Sequence, residues 1–222
     1  MYTLLQQTSD FLVIHKWPGI SVHRDEGDTS LIDQIRADTG IADLHSVHRL
    51  DKMTSGILLY AIGAANARAL SQSFEHGEIE KYYLAISDKR PAKKQGAIIG
   101  DMTAARNGSY KLLQTRNNPA RTRFFSQLLP DGKRAFILRP LTGRTHQLRV
   151  ALKSLGSPIL GDERYGGTSA DRGYLHAYAI RFTLHETVHA FICPPDSGTH
   201  WPSADLLTES GWHTPWSLPW PQ

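Results

Sequence analysis

Runs of consecutive apolar residues recur along the chain, with short polar segments between them. Residues 57–62 form one such run, and its length is typical of a buried strand rather than of a helix. Pro130, Asp131 and Gly132 make a turn sequence between two others. The predicted strands lie at residues 11–15, 20–23, 57–62, 82–86, 121–129, 134–138, 174–182 and 188–192.

Helical spacing with capping signals appears in three segments. Thr29 or Ser30 can cap a helix that ends near Gly40. Residues 64–76 are rich in Ala, Leu and Gln, lack Pro, and predict a second helix. Residues 143–155 predict a third, which stops before a glycine. Few helices among many short strands predict an α+β fold, with a mixed, largely antiparallel central β-sheet flanked by helices and loops.

The composition is that of an ordinary globular protein. The chain has 222 residues, of which 40% are hydrophobic and 21% charged, enough to bury a sizeable core. No apolar run approaches the roughly 20 residues that span a bilayer, and the first ten residues do not resemble a signal peptide. A lone cysteine, Cys193, excludes an internal disulfide and suits a reducing compartment, so we expect a cytoplasmic protein.

Positive charge is concentrated in the middle of the sequence. Residues 81–153 contain 16 Lys and Arg against three Asp, a net charge of +13, whereas the remaining residues contain 9 Lys and Arg against 18 Asp and Glu, a net charge of −9. Such a basic segment on an acidic frame favours a polyanion such as nucleic acid. A solvated charged surface is an equally good interpretation of composition alone.

Residues 48–56 are the most informative for chemistry. They read His-Arg-Leu-Asp-Lys-Met-Thr-Ser-Gly and run directly into the predicted buried strand at 57–62. Asp51 has Arg49 and Lys52 as sequence neighbours, and nearby cations favour an ionised carboxylate that could act as nucleophile or base. The alternative is a turn aspartate that bonds its own backbone.

Residues 143–149, Gly-Arg-Thr-His-Gln-Leu-Arg, lie at the start of the third predicted helix. Free N–H groups and the helix dipole favour an anion at such a position. Arg144 could bond a carboxylate such as Asp51 or an RNA phosphate through its two-pronged guanidinium. The alternative is an arginine on a solvated helix end.

Together these stretches resemble the RluA-type pseudouridine synthases. The His-Arg-Leu-Asp-x-x-Thr-Ser-Gly run, the Gly-Arg-Thr-His-Gln-Leu-Arg run and the segment 155–166 match motifs of that family in order, over about residues 10–196. Further matches are Lys81-x-Tyr83-x-Ala85, residues 175–177 and residues 194–195. The sequence departs from the family pattern at two places. The family's N-terminal Lys-Pro-x-Gly-Leu pattern appears here as Lys16-Trp17-Pro18-Gly19-Ile20, one residue out of phase, and Ala151 stands where the family usually has histidine.

The resemblance implies the pseudouridine synthase fold with an active-site cleft in the middle, and an RNA isomerase acting on uridines of tRNA, rRNA or both. It implies that Asp51 is the catalytic carboxylate, that Tyr83 stacks on the uracil and can remove a proton, and that Arg144 orients Asp51. No cofactor or metal is implied.

We expect a monomer with a catalytic domain over residues 1–200 and a Trp- and Pro-rich extension over 201–222. The residues expected to contact RNA are His48, Arg49, Thr54, Lys81, Thr145, Gln147 and Arg149, with Arg121 and Arg123 as phosphate contacts.

Two other functions fit parts of the sequence. Residues 185–189 read His-Glu-Thr-Val-His, the zinc protease signature, but their flanks alternate like strands, and in an extended chain His185 and His189 lie about 13 Å apart, too far to share a metal. His45 and His48 could also pair on a metal, although solvated loop histidines are commoner. The stronger alternative is a non-catalytic RNA-binding or RNA-folding module of the same fold, which would not need Asp51.

Overall fold

A computed structural model describes residues 1–22 and 30–222. The chain forms two compact units. Unit 1 comprises Met1–Ile79 and Ala177–Pro194, and unit 2 comprises Glu80–His176 and Pro195–Gln222. Among the described residues, no helix has the length and apolarity that crossing a membrane would require.

Short strands dominate the secondary structure, as the apolar runs predict. The helices are α1 (Leu31–Thr39), α2 (Ala64–Glu75), α3 (Gln147–Ser154) and α4 (Ala204–Glu209). The strands are β1 (Tyr2–Gln7), β2 (Phe11–Lys16), β3 (Leu44–Ser46), β4 (Ser55–Ile62), β5 (Glu80–Ser87), β6 (Gln95–Gly100), β7 (Met102–Ala104), β8 (Tyr110–Leu112), β9 (Ala120–Leu128), β10 (Arg134–Pro140), β11 (Leu175–Leu184) and β12 (Thr187–Ile192).

Unit 1 is built on a sheet with strand order β1-β2-β4-β11, in which β3 also pairs with β4 and β12 with β11. The pairs β1–β2, β2–β4, β3–β4 and β11–β12 are antiparallel. Side chains alternate along each strand, so every second residue faces the core. That core contains Phe11 and Val13 of β2, Ile57 and Leu59 of β4, and Leu70 of α2, which packs against them.

Unit 2 contains the strand order β5-β10-β9-β6, with antiparallel pairs throughout, and a separate β7–β8 hairpin. The segment after residue 195 belongs to this unit. Its Trp220 ring lies 5.7 Å from the Tyr82 ring and 5.3 Å from the Phe125 ring. The Trp220 indole N–H donates to the backbone oxygen of Pro215 (2.8 Å). The division at residue 200 into domain and extension stays a prediction.

Most of the predicted elements are confirmed. Helix α1 begins after Ser30, whose hydroxyl accepts the N–H of Asp33, and ends at Gly40 in the left-handed conformation; Thr29 lies outside the described residues. The predicted strand at 20–23 is wrong for residues 20–22, which are not in a strand, and His23 lies outside the described residues.

The third helix begins later than predicted. Residues 143–146 are not helical, and α3 starts at Gln147. His146, the residue before it, has a φ of 56°, in the left-handed region that ends a helix rather than continues one. Arg144 and Thr145 therefore lie in a loop ahead of the helix, not in its first turn.

Gly56 fixes the course of β4 in unit 1. Its φ is +107°, and a Cβ added there would lie 2.2 Å from the backbone oxygen of Ala177. Any side chain at residue 56 would therefore be strained and would also collide with the neighbouring strand.

Replacing Gly56 with Ala should lower the free energy of unfolding by at least about 2 kcal/mol, because the conformational strain and the collision add. Urea denaturation measures this loss. Gly143→Ala is the matched control, since nothing lies within 4 Å of a Cβ at that position, and it should change stability by less than about 0.5 kcal/mol. Equal stability of the two variants would contradict the close approach.

Candidate active site

Asp51 lies on a tight turn of unit 1, directly before β4. Its backbone oxygen accepts the N–H of Thr54 (3.0 Å), and Lys52 and Met53 form the turn between them. The Asp51 side chain is half-buried. The turn is therefore closed by the backbone of Asp51, which does not require the carboxylate oxygens for that purpose.

Lys16 fastens this turn to the end of β2. Its side chain is fully buried, and Nζ donates to the backbone oxygens of Ile20 (2.8 Å), Trp17 (3.0 Å) and Lys52 (3.3 Å). The N–H of Gly19 donates to the same Lys52 oxygen (2.9 Å). Sequence reasoning missed this role, although a lysine close behind the apolar run at residues 11–14 was the available signal.

Two of the unit 1 residues expected to contact RNA are engaged within the protein. His48 Nε2 accepts the N–H of Leu59 (2.9 Å), and its ring stacks on Phe74 with centroids 4.5 Å apart. Thr54 is buried. Arg49, in contrast, is exposed. The geometry gives His48 and Thr54 a role in holding the loop and leaves Arg49 at the surface.

Strand β5 of unit 2 carries Lys81 and Tyr83 on one face. Both side chains are half-buried, and burial lowers the pKa of the Lys81 ammonium. Tyr83 is opposite Leu138, which is opposite Phe124 on the next strand. These four positions, together with Thr122 two residues before Phe124, therefore share one face of the unit 2 sheet.

Gln147 ties the loop at 141–146 to that same face. Its Oε1 accepts the Thr142 hydroxyl (2.8 Å) and the N–H of Arg144 (3.0 Å). Its Nε2 donates to Thr122 Oγ1 and to the backbone oxygen of Arg121, both at 3.0 Å. Two donors and two acceptor positions use the amide fully. The loop that carries Arg144 thus lies on the Tyr83 side of the sheet.

The exposed Arg144 side chain is placed by a second loop. Its Nη2 donates to Asn118 Oδ1, and the N–H groups of Asn118 (2.8 Å) and Asn117 (3.0 Å) donate to the Asp101 carboxylate. A hydrogen bond from Thr115, followed by the one from Asn117, lowers the pKa of Asp101. The ionised Asp101 therefore orders the loop against which Arg144 rests.

Arg149 forms a buried ion pair with Asp162. Its Nε and Nη2 donate to the two carboxylate oxygens at 2.7 and 2.8 Å, and the Arg149 and Asp162 residues are only 7% and 2% exposed. The guanidinium also lies 4.8 Å from the centre of the Tyr165 ring. The Tyr165 hydroxyl accepts the N–H of Tyr110 (2.9 Å) and lies 2.8 Å from His146 Nδ1. The segment 155–166 thus anchors α3 and the loop before it.

Of the residues in the 143–149 stretch that were expected to contact RNA, Gln147 and Arg149 are buried in unit 2, whereas Thr145 is half-buried; Arg144 is exposed. Arg123 lies on the other sheet face from its neighbour Phe124, and so does Arg121. The two arginines therefore do not share the face that carries Tyr83. Asp51 belongs to unit 1, and Tyr83 and Arg144 to unit 2.

The zinc protease helix does not form. His185 and Glu186 have φ values of 49° and 62°. They form the two-residue turn of a hairpin, between Leu184 at the end of β11 and its partner Thr187 at the start of β12. His185 Nε2 lies 2.9 Å from Asn66 Oδ1. His45 bonds Asp43 (2.6 Å), whereas His48 accepts a backbone N–H, so these two histidines serve different partners.

Replacing Arg149 with Met should lower the free energy of unfolding by about 3–5 kcal/mol, because it leaves the buried Asp162 carboxylate without its cation. Thermal or urea unfolding checks this. Lys153→Met on the exposed side of α3 is the control and should change stability by less than about 0.5 kcal/mol. A combined Arg149→Met and Asp162→Leu variant should recover part of the loss, and its failure to do so would contradict the ion-pair explanation.

The family model described as RNA pseudouridylate synthase matches residues 10–154. A Haemophilus influenzae protein named "Uncharacterized RNA pseudouridine synthase" is 48% identical over 200 residues, which cover 89% of each chain. "tRNA pseudouridine synthase C" of Haemophilus ducreyi is 31% identical over 95% of this chain and 96% of its own. "Dual-specificity RNA pseudouridine synthase RluA" of Escherichia coli is 32% identical over 82% of this chain and 83% of its own.

A solved structure shows the same fold. "Human RNA Pseudouridylate Synthase Domain Containing 1" superposes with a TM-score of 0.75 at 25% identity, over 100% of this chain and 97% of that one. The α+β prediction with a largely antiparallel sheet is thereby confirmed.

Proposed function

The chain belongs to the RNA pseudouridylate synthase family, and we propose that Asp51 is the carboxylate with which it isomerises uridine to pseudouridine in RNA. The observation that carries this assignment is the turn itself. Asp51 lies on a turn that its own backbone oxygen helps to close and that the buried Lys16 ammonium holds through the Lys52 oxygen. The half-buried Asp51 side chain is thereby held at a defined place ahead of β4.

In the reaction, the Asp51 carboxylate attacks the target nucleotide and the C1′–N1 glycosidic bond breaks. The uracil rotates and C5 bonds to C1′. The bond between the nucleotide and the Asp51 carboxylate breaks, which frees the carboxylate, the C5 proton leaves, and N1 gains a proton. Reactant and product are isomers, so no redox cofactor or nucleotide is consumed. We infer that the enzyme works without a metal.

Tyr83 is proposed to stack on the uracil and to remove the C5 proton. Its half-buried ring offers a flat apolar surface on the same sheet face as Lys81, and aromatic stacking of this kind contributes about 1–3 kcal/mol per base. A phenol oxygen held beside the base is a competent proton acceptor when contact is close. Lys81 supplies a positive charge beside the ring, where an RNA phosphate can bind.

The remaining site residues divide by exposure. Arg144 is proposed to pair with the Asp51 carboxylate, and Arg49 to occupy the space that the target base vacates, since extruding a base costs a few kcal/mol. Thr145 contacts RNA next to Arg144. His48, Thr54, Gln147 and Arg149 act by positioning, because each is engaged or buried within its own unit.

We propose tRNA, rRNA or both as the substrate. The support is that one relative is named for tRNA and another for dual specificity, together with the +13 segment that can bind a polyanion. We further propose that the protein is a cytoplasmic monomer. The support for the compartment is its single cysteine, which suits reducing conditions.

Replacing Asp51 with Asn should reduce pseudouridine formation below detection, while the RNA dissociation constant changes by no more than a few-fold. Release of tritium from C5 of labelled uridine measures turnover, with RNA from cells lacking this protein as substrate. Asp43→Asn is the matched control, because Asp43 is exposed and bonds only His45 among the described side chains. Turnover by the Asp51→Asn variant would refute the catalytic role, and an inactive wild type would favour the RNA-binding module.

Replacing Tyr83 with Phe should keep stacking and lower kcat by about 10²–10⁴-fold, because only the proton acceptor is lost. Single-turnover kinetics at saturating RNA check this. Tyr82→Phe on the opposite face of β5 is the control, since the Tyr82 hydroxyl bonds Glu80 rather than the Tyr83 face, and it should retain most activity. Unchanged kcat for Tyr83→Phe would leave the ring with a stacking role only.

A further inference from the structure

The loop at residues 88–94 of unit 2, here called the basic loop, is held rigidly at several points. The Ala92 N–H donates to the backbone oxygen of Leu155 (2.9 Å). The backbone oxygen of Lys94 accepts both the N–H (2.8 Å) and the hydroxyl (2.7 Å) of Ser126. The Ser157 hydroxyl donates to the backbone oxygen of Lys89. The loop is therefore ordered before any ligand arrives.

The cations of the basic loop point to an external anion. The seven residues carry four Lys and Arg against one Asp, a net charge of +3, and Arg90, Lys93 and Lys94 are exposed. Over residues 1–22 and 30–222, no side-chain hydrogen bond or ion pair holds these three. Like charges held together on a fixed backbone repel one another, and a bound polyanion removes that repulsion.

The nearby carboxylates are already engaged. Asp88 accepts the Thr168 hydroxyl (2.6 Å). Asp131 bonds Lys133 (2.9 Å) and His200 (3.2 Å). Both belong to a cavity of about 690 Å³ beside the loop, whose third carboxylate, Asp171, accepts the Tyr174 hydroxyl (2.7 Å). None of them forms an ion pair with the loop cations.

The position of the basic loop is remote from Tyr83. Asp88 follows Ser87, the last residue of β5, and is five residues beyond Tyr83, which is about 17 Å along a strand. Helix α3 connects the two regions, because the Arg144 loop precedes it and the Leu155 contact with the basic loop follows it. A ligand that reached from Tyr83 to the basic loop would have to be a polymer.

We propose that the basic loop is a second RNA contact, in which Arg90, Lys93 and Lys94 bind backbone phosphates several nucleotides away from the target uridine. This inference rests on the proposed RNA substrate. Phosphates suit the site because the cations are exposed point charges on an ordered loop, without aromatic side chains among them to stack on bases. Such a contact carries no sequence information, but it tightens the binding of long, structured RNA.

The test uses the triple variant Arg90→Gln, Lys93→Gln, Lys94→Gln with unfractionated transfer RNA as probe. The plot of log affinity against log salt concentration should become shallower by about two, since each phosphate contact contributes roughly 0.7–0.9 to the slope. Affinity at 0.1 M salt should fall about 10- to 100-fold. In the pseudouridine assay KM should rise while kcat at saturating RNA is retained, and the melting temperature should be unchanged.

Arg68→Gln on the exposed surface of α2 is the matched control for Arg90→Gln, and only the latter should change the salt slope. An unchanged slope for the triple variant would overturn the proposal, as would a lowered melting temperature with no change of slope, because the cations would then serve the carboxyl end of α3. The wild-type protein could form no pseudouridine while the slope of log affinity against log salt concentration still depends on these three residues. That result would refute the enzymatic function and support the phosphate contact.

Discussion

The ammonium group of Lys16 is enclosed by unit 1 and donates to three backbone oxygens, one of them from the residue that follows Asp51. An ammonium has three donors, and a buried cation is tolerated only when its donors are bonded. Any displacement of the turn at residues 51–54 would remove a partner from a charge that water cannot reach. The burial of one cation thus sets the position of the carboxylate assigned to the chemistry.

Unit 2 also contains buried polar groups whose hydrogen bonds fix the backbone around them. The Gln147 amide uses both its oxygen and its nitrogen to bond the neighbouring strand and loop, and the buried Arg149 guanidinium is paired with the Asp162 carboxylate. Arg144 remains exposed on a backbone that the Gln147 amide holds in place. In both units, then, buried polar groups hold the backbone beside the exposed Arg49 and Arg144. The buried groups explain why so many polar residue types occur in two short stretches.

Local signals were sufficient for much of the fold. The apolar run in β4, the Ser30 cap and the glycine that ends α1 each depend on neighbours in sequence, and each prediction is confirmed. The predicted start of α3 was wrong because apolar spacing indicates the interior of a helix but not its first residue. The strand predicted over residues 20–22 was wrong because the backbone oxygen of Ile20 accepts a hydrogen bond from the buried Lys16 rather than from another strand.

The contacts of the proposed site residues were harder to predict than their secondary structure. The motif order indicated Asp51, Tyr83 and Arg144, but whether an arginine or a glutamine faces RNA or the interior depends on partners far away in sequence. Besides its neighbours, Gln147 bonds residues 25 and 26 positions away, and the carboxylate that pairs with Arg149 lies 13 positions away. Alternation along β9 likewise separates Arg121 and Arg123 from the Tyr83 face, a distinction that depends on register rather than on charge.

The ring of Trp220 covers the rear of the strand that presents Tyr83, although the two residues stand near opposite ends of the unit 2 sequence. A nascent chain leaving the ribosome would carry Tyr82 and Phe125 long before this indole emerges. Until then the apolar back of the strand lies bare and can bind chaperones or other chains. The ring that packs against this face of the sheet is thus synthesised well after the strands that it covers.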